Sequence, residues 1–183
     1  KGVTISCDLN YRAKLWSPEK ANAVMSMLMP YVDICMGNEE DAENIFGITS
    51  GKTAVTKAEL DLSGYEELAT DLIKRFGFKY VATSLRESYS ASYNGWSVIL
   101  HDGKKLYNSK KYNINIVDRV GGGDSFAAGL IYGLLNNNSL QECVEFAAAA
   151  SCLKHTIQRD FNLTSIEEVE MLKKGDGSGR VQR

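Results

Sequence analysis

The stretch that decides the fold class runs from Val3 to Asn38, VTISCDLNYRAKLWSPEKANAVMSMLMPYVDICMGN. Near each end it contains a short segment rich in β-branched and apolar residues, which is typical of a buried strand. Between them, Ser17 is a candidate N-cap and Pro18 occupies the first turn of a segment with apolar residues at helical spacing. A strand, a helix and a second strand at this distance predict a βαβ unit. We therefore expect a parallel sheet with a right-handed crossover.

After this unit the sequence again predicts helices and a strand, and then its hydrophobic pattern changes. Helices are predicted at Asn38–Gly47 and Ser63–Gly77, and a further buried strand at Lys79–Leu85. From Gly95 to about Ile116 polar and apolar residues alternate, and Asp102-Gly103 marks a hairpin turn. Antiparallel strands are therefore expected at the edge of the parallel sheet.

Three more helices are predicted towards the C-terminus. Two span Asp124–Leu135 and Leu140–Lys154, and the last is opened by a capping box of Ser165 and Glu168. One α/β domain accounts for residues 1–175. The glycine-rich, charged residues 176–183 are predicted to form a flexible tail.

Composition and charge argue against several classes of partner. The 183 residues are 44% hydrophobic, enough for one domain with a core, and the net charge is −2. The densest basic cluster, GKKLYNSKKY, holds only four lysines, so no nucleic-acid partner is expected. The apolar stretch FAAAASCL is too short for a bilayer, and the first residues lack the apolar run of a signal peptide. These features predict a soluble protein without a membrane partner.

The four cysteines are scattered along the chain without a CxxC pair. Three of them lie in apolar segments, which predicts reduced, buried thiols and a cytoplasmic protein. Cys152 and His155 lie one helical turn apart, with Cys143 on the same predicted helix, but this set supplies too few ligands for a metal site.

Gly121, Gly122 and Gly123 precede Asp124 where a strand-like segment, YNINIV, leads into a predicted helix. Backbone N–H groups at a helix N-terminus attract anions and can receive the charge that develops on a transferring phosphoryl group. A carboxylate there repels a bound triphosphate, unless it accepts the proton of the attacking hydroxyl. The residues alone leave two interpretations open: Asp124 is a general base, or it is an N-cap beside a tight turn.

A second glycine-rich segment, Gly47–Thr53 with sequence GITSGKT, is similar to an ATP-binding P-loop. It has three residues between its glycines where that motif requires four, and it does not link a strand to a helix. We predict a surface turn.

The segment Asp118–Leu135, DRVGGGDSFAAGLIYGLL, resembles the C-terminal signature of the ribokinase-like (PfkB) sugar kinases, D-x-V-G-A-G-D-x-F-x-A-G. The matching positions are Asp118, Val120, Gly121, Gly123, Asp124, Phe126, Ala128 and Gly129. The resemblance implies that Asp124 is the catalytic base, that the glycine loop Gly121–Gly123 forms an anion hole, and that ATP and Mg²⁺ are used.

Four further segments, CDLNYRAKLWS, NEEDAENIFG, TSLRESYSASYNGW and AAAASCLKHTIQRDFN, resemble those of 2-keto-3-deoxygluconate kinases. Phosphorylation of that sugar acid by ATP is the implied activity, with Arg12, Asp124 and Asp160 as substrate-binding residues. Two alternatives remain: another sugar kinase of the fructokinase or ribokinase type, or a catalytically silent nucleotide-binding fragment.

The resemblance also implies a nucleotide site that includes Asn38, Ser84, Arg86 and the glycines. Asp41 stands where the family has glutamate and reaches one methylene less, so its contact with magnesium is expected to run through water. The small side chains of AAAASCLKHT, with the loop after them, are expected to line an adenine pocket.

Family members begin with a substantial N-terminal region that has no counterpart in this sequence. The resemblance therefore implies a ribokinase-like three-layer α/β/α fold, with a mostly parallel sheet and antiparallel edge strands, whose N-terminal part is missing. Residues 1–175 would be the nucleotide-binding C-terminal part. Because lid strands pair subunits in many relatives, a homo-oligomer is expected for the intact enzyme.

Overall fold

The computed structural model describes residues 2–49 and 62–175. In chain order its elements are β1 (Ser6–Asp8), α1 (Pro18–Leu28), a 3-10 turn (Met29–Tyr31), β2 (Ile34–Gly37), α2 (Glu39–Phe46), α3 (Leu62–Phe76), β3 (Tyr80–Ser88), β4 (Tyr93–His101), β5 (Leu106–Asn108), β6 (Tyr112–Asn115), α4 (Gly122–Leu135), α5 (Leu140–Lys154) and α6 (Ile166–Lys174). The predicted tail at 176–183, and residues 50–53 of the predicted surface turn, lie outside the described residues.

The six strands belong to one mixed sheet in the order β1-β2-β3-β4-β5, with β6 also paired to β4. β1 and β2 are parallel, with Cys7 opposite Cys35, and β2 and β3 are parallel, with Cys35 opposite Val81. β4 and β6 are antiparallel, with Trp96 opposite Tyr112. The predicted α/β class, the βαβ unit and the antiparallel strands are confirmed.

The helices begin at the capping residues that the sequence indicates. The Ser17 hydroxyl accepts a hydrogen bond from the Lys20 N–H at 3.4 Å, and Pro18 opens α1. The Asn38 side chain accepts from the Asp41 N–H at 2.8 Å, which opens α2. Gly47 then ends α2 at a φ of 68°, a left-handed conformation that glycine adopts without steric cost.

The chain forms two compact units, the first made of Lys1–Thr83 and Leu100–Leu106, the second of Ser84–Ile99 and Tyr107–Arg183. In the first unit a buried apolar cluster connects β1, β2 and β3 with α1, α2 and α3. Its members are Leu9, Ala21, Met25, Met29, Val32, Cys35, Ala42, Ile45, Phe46, Leu68, Ala69, Leu72, Phe76, Phe78 and Val81. This core fixes the ends of β1 and β2, after which Arg12 and Asn38 follow in the chain.

In the second unit α4 packs closely against α5. A Cβ atom built on Gly129 would lie 2.9 Å from the Ala147 Cα, and one built on Gly133 would lie 3.1 Å from the Cys143 Cα. Glycine at these two positions of α4 therefore lets the two helix backbones approach each other. The contact holds the first turn of α4 against the last turn of α5.

Two predictions from the sequence, buried free thiols and apolar stretches too short to cross a bilayer, can be compared with the described residues. Cys35, Cys143 and Cys152 are buried, Cys7 is half-buried, and all four are free, as predicted. Within residues 2–49 and 62–175, no helix combines the length and the apolar composition that crossing a membrane requires.

Candidate functional site

The glycine loop forms the N-terminus of α4. Gly121 adopts a left-handed conformation with a φ of 78° and is the N-cap, so the helix begins at Gly122, two residues before the predicted start. The Gly122 N–H donates to the Arg119 carbonyl at 3.3 Å. No hydrogen-bond partner for the Gly123 N–H occurs in the part of the chain that the structure describes. The loop therefore offers a free N–H donor at the positive end of a helix dipole.

Each of the three glycines has different surroundings. A Cβ atom on Gly121 would lie 2.6 Å from the Asp160 carbonyl oxygen, and one on Gly122 would lie 2.5 Å from the His155 Cε1. A Cβ atom on Gly123 would meet no other described atom within 4 Å. Two glycines thus allow the loop to pack closely on the chain beneath it, and the third faces open space from which a ligand can approach.

Asp124 lies in the first turn of α4 and is exposed. Its carboxylate has no hydrogen-bond partner among the described residues, and the N-cap position belongs to Gly121, which has no side chain to cap the helix. The interpretation of Asp124 as an N-cap is therefore wrong. The carboxylate stands beside the glycine loop with both oxygens available as acceptors.

Asp118 connects the glycine loop to the turn that follows α5. Its Oδ1 accepts from the Val120 N–H at 3.0 Å, and its Oδ2 accepts from the Arg159 N–H at 2.8 Å. These two backbone donors hold the pKa of the carboxyl below its ordinary value. The backbone N–H of Asp118 also donates to the His155 carbonyl, at 3.2 Å. The loop is thus tied on both sides to residues near the end of α5.

Two residues at the end of α5 lie beneath the loop. Both belong to AAAASCLKHT, the segment assigned to the adenine pocket, but neither was predicted to support the glycine loop. Lys154 is 0% exposed, and its Nζ donates to the carbonyls of Ile157 and Arg159 at 3.2 and 2.6 Å. His155 is buried, and its ring centroid lies 4.5 Å from that of Trp96. The only signal for Lys154 in the sequence was a lysine that directly follows the long apolar run FAAAASCL.

The tautomer of His155 follows from its surroundings. Its Nδ1 lies 2.7 Å from the Ser151 carbonyl oxygen, which can only accept, so Nδ1 carries a proton. Burial lowers the pKa of the imidazole, and the nearby cations Arg119, Lys154 and Arg86 lower it further. The ring is therefore neutral at neutral pH.

The alanines of α5 require a correction to the expected adenine pocket. Ala147, Ala148 and Ala149 are 0% exposed, and Ala147 packs against Gly129 of α4. Side chains without exposed surface do not line an open pocket, and the small size of Ala147 serves the close contact with α4. The expected contribution of the loop after α5 remains a prediction.

The remaining predicted residues of the second unit are Ser84, Arg86 and Asp160. Ser84 and Arg86 lie on β3, the first half-buried and the second exposed. Asp160 is exposed, and its carbonyl oxygen and Oδ1 both lie against Gly121. The structure thus places Asp160 against Gly121, the first glycine of the loop, and the nucleotide contacts of Ser84 and Arg86 remain predictions.

In the first unit, Asp41 lies beside the backbone that carries Arg12. The Asp41 side chain accepts from the Tyr11 N–H at 2.9 Å and from the Asn38 N–H at 3.3 Å. Asp41 is 6% exposed, and burial raises its pKa. Arg12 is exposed and uses one donor on the Tyr11 carbonyl at 2.8 Å, so its remaining donors are available to a ligand.

Asp41 does not fit a direct magnesium ligand, because both of its oxygens already accept backbone hydrogen bonds in a buried position. Within the described ranges, no three or more His, Cys, Asp and Glu side chains are grouped as a metal site would require. A contact of Asp41 with the metal through water remains a prediction.

Comparisons with known proteins show what this chain is similar to. Residues 1–159 match the family described as pfkB family carbohydrate kinase. The crystal structure of a 2-dehydro-3-deoxygluconokinase from Thermotoga maritima is 49% identical, with a TM-score of 0.88 over 95% of this chain and 52% of that chain. A 2-dehydro-3-deoxygalactonokinase from Haloferax volcanii is 28% identical over 97% of this chain and 49% of its own length.

A more distant structure shares the fold alone. Arabidopsis thaliana ribokinase, solved with ribose and ATP, is 20% identical, with a TM-score of 0.63 over 95% of this chain and 48% of that chain. The expected ribokinase-like fold is confirmed. The chain spans about half the length of each of these three relatives.

Proposed function

Because the chain belongs to the pfkB family of carbohydrate kinases, we propose that it is the nucleotide-binding portion of an ATP-dependent sugar-acid kinase. The substrate we propose is 2-keto-3-deoxygluconate, phosphorylated at its terminal primary hydroxyl. The observation that carries this proposal is the glycine loop, where an open face at Gly123 adjoins the unpartnered carboxylate of Asp124. An anion site beside a free base is what phosphoryl transfer to an alcohol requires.

In the proposed reaction, the substrate hydroxyl oxygen attacks the γ-phosphorus of ATP. Asp124 accepts the hydroxyl proton, the new P–O bond forms, and the bond from the γ-phosphorus to the bridging oxygen breaks, so ADP leaves with the bonding electrons. The free N–H group of Gly123, at the start of α4, stabilises negative charge on the transferring group. Mg²⁺ enters as the Mg–ATP complex and supplies charge neutralisation to the phosphates.

The sugar-acid class is supported by the names of the two more similar relatives. One is a 2-dehydro-3-deoxygluconokinase and the other a 2-dehydro-3-deoxygalactonokinase, so both names specify a 2-keto-3-deoxy acid. A guanidinium can hold a carboxylate through two parallel hydrogen bonds, and Arg12 has donors available. We therefore assign Arg12 to the acid group of the substrate. Asp160, next to Gly121, is assigned to its hydroxyls.

The substitution Asp124→Asn distinguishes a role of Asp124 as the base from a role in nucleotide binding. We expect the variant chain to bind Mg–ATP with a dissociation constant close to that of the wild type, because Asp124 serves the hydroxyl and not the nucleotide. In the full-length enzyme the same substitution should lower kcat by about 10²- to 10⁴-fold, the usual contribution of a general base. Calorimetric titration of the chain and a coupled ADP assay of the full-length enzyme measure these two quantities.

Asp71→Asn is the matched control, since Asp71 is an exposed aspartate on α3. It should change neither quantity. Turnover by full-length Asp124→Asn at a rate near that of the wild type would refute the assignment of the base. A preference of the full-length enzyme for ribose or fructose would refute the sugar-acid substrate, and comparison of the gluconate-derived and galactonate-derived acids distinguishes the two named relatives.

A further inference from the structure

Lys154 is a buried cation in the interior of the second unit. Its side chain is 0% exposed, and the structure contains no ion pair of Lys154 within the described ranges. Two of the donors on its Nζ are used by the backbone carbonyls of Arg159 and Ile157, at 2.6 and 3.2 Å. A buried ammonium costs solvation free energy that carbonyl oxygens only partly recover, so a neutral residue would be the simpler choice for core packing alone.

The partners of Lys154 belong to the turn that supports the glycine loop. Arg159 accepts from Lys154 through its carbonyl, and its N–H donates to Asp118. Asp118 in turn accepts from the Val120 N–H, directly before the loop. Arg159 has a φ of 67°, an uncommon conformation for a residue with a side chain, so this turn requires support from its neighbours.

Lys154 also lies directly beneath the loop. Its Cε would be 3.1 Å from a Cβ atom on Gly121, the N-cap of α4. Its charge contributes to the low pKa of Asp118. The positive charge therefore lies on the inner side of a loop whose outer side carries a free N–H donor, and both attract an anion bound there.

We propose that Lys154 is a positioning residue: its buried ammonium holds the turn 157–160 in place and, through Arg159 and Asp118, fixes the glycine loop in the shape that receives the phosphoryl group. This inference deepens the proposed function and rests on it for the identity of the ligand. The predicted effect of Lys154 on the loop is independent of the proposed function, because the ligand-free protein can show it.

The first arm of the test measures amide hydrogen exchange in the ligand-free chain. Lys154→Met keeps an unbranched side chain one atom shorter and removes the charge, and it should accelerate exchange at residues 118–123 and 157–160 while leaving α1 and α3 unchanged. In Lys154→Ala the cavity exposes the same two carbonyls, so added ammonium chloride should slow this exchange again. An equal concentration of tetramethylammonium chloride should not, because that cation has no N–H donor.

Lys74→Met is the matched control, since Lys74 is an exposed lysine on α3. Exchange that is equal in Lys154→Met and the wild type would overturn the proposal. If both Lys154 variants fail to fold, the test is whether added ammonium restores folding of Lys154→Ala. Recovery of the folded state supports the proposal, and a failure that ammonium does not correct overturns it.

The second arm measures Mg–ATP affinity by calorimetry. We expect folded Lys154→Met to bind about tenfold more weakly, the scale of one lost charge-assisted hydrogen bond. Ammonium should restore the affinity of Lys154→Ala. Wild-type affinity in a Lys154→Met protein with a loosened loop would leave Lys154 a purely structural role and overturn the proposal. If the wild-type chain binds no Mg–ATP, the proposed function of this chain fails, and the exchange arm alone decides the role of Lys154.

Discussion

At the scale of the residue, glycine at position 122 is explained by the histidine beneath it. The signature of the resembled family typically has alanine at this position, whereas here a Cβ atom would lie 2.5 Å from the His155 Cε1 and 2.7 Å from its Nε2. His155 is held by Ser151 and packs on Trp96, so its ring cannot turn aside without losing both contacts. The imidazole therefore occupies the space that an alanine methyl group would need.

Gly122→Ala should therefore lower the free energy of unfolding by about 1–3 kcal/mol, the usual cost of overpacking a filled site. Urea denaturation measures it. Gly123→Ala is the matched control, because a Cβ atom there meets no described atom within 4 Å, and it should leave the free energy of unfolding unchanged or raise it by up to about 1 kcal/mol. In a His155→Ala background the cost of Gly122→Ala should fall, and additive effects of the two substitutions would show that the ring is not the obstacle.

At the scale of the element, the contact of α4 with α5 depends on the glycines of α4. The nearest atom to a Cβ on Gly129 is the Ala147 Cα, at 2.9 Å, and a backbone atom cannot move aside without a shift of the whole helix. Gly129→Ala should gain about 1 kcal/mol of helix propensity and lose about 3 kcal/mol through overpacking.

We therefore expect Gly129→Ala to lower the free energy of unfolding by about 2 kcal/mol, measured by urea denaturation. Ala128→Gly at the exposed neighbouring position measures the propensity effect alone, and should destabilise by about 1 kcal/mol. Stabilisation by Gly129→Ala would mean that the two helices are free to separate, contrary to the close packing described above.

Elements whose ends are marked by side chains were predictable from the sequence. Ser17, Asn38 and Ser165 each cap a helix at the predicted position, because their side-chain oxygens accept from a backbone N–H in the first turn. The start of α4 was predicted two residues late, because its N-cap is a glycine that caps through backbone conformation alone. A run of three glycines gives no side chain by which to locate that cap.

At the scale of the whole molecule, the sequence located the glycine loop and Asp124 but not what supports them. Lys154 occupies the last turn of a helix, where a lysine usually points to solvent and interacts with the helix dipole. Its burial depends on a turn at 157–160 that returns beneath Gly121, and no local pattern encodes that return. The alanines of α5 were assigned to a pocket for the same reason, since composition does not show which surface a helix presents to its neighbour.

The pH dependence of the global stability should report on the buried state of His155. Its pKa in the folded chain is lowered by burial from the ordinary value near 6.5, so the unfolded chain takes up a proton first as the pH falls. The stability that the neutral, buried imidazole contributes is therefore fully present above about pH 6.5. It is lost as the pH falls from there through the lower pKa of the folded state. Urea denaturation between about pH 8 and pH 5 covers this window.

His155→Gln cannot take up that proton, so the difference in the free energy of unfolding between wild type and variant should be largest above pH 6.5 and should shrink as the solution becomes acidic. The other histidine, His101, is present in both proteins and cancels in the difference. Asp118 also titrates differently in the two states, but its lowered pKa places its effect at more acidic pH than this window. A difference that stays constant from pH 8 to pH 5 would mean that the imidazole accepts its proton as readily in the folded chain as in the unfolded one, and that the region beneath the glycine loop is open to water.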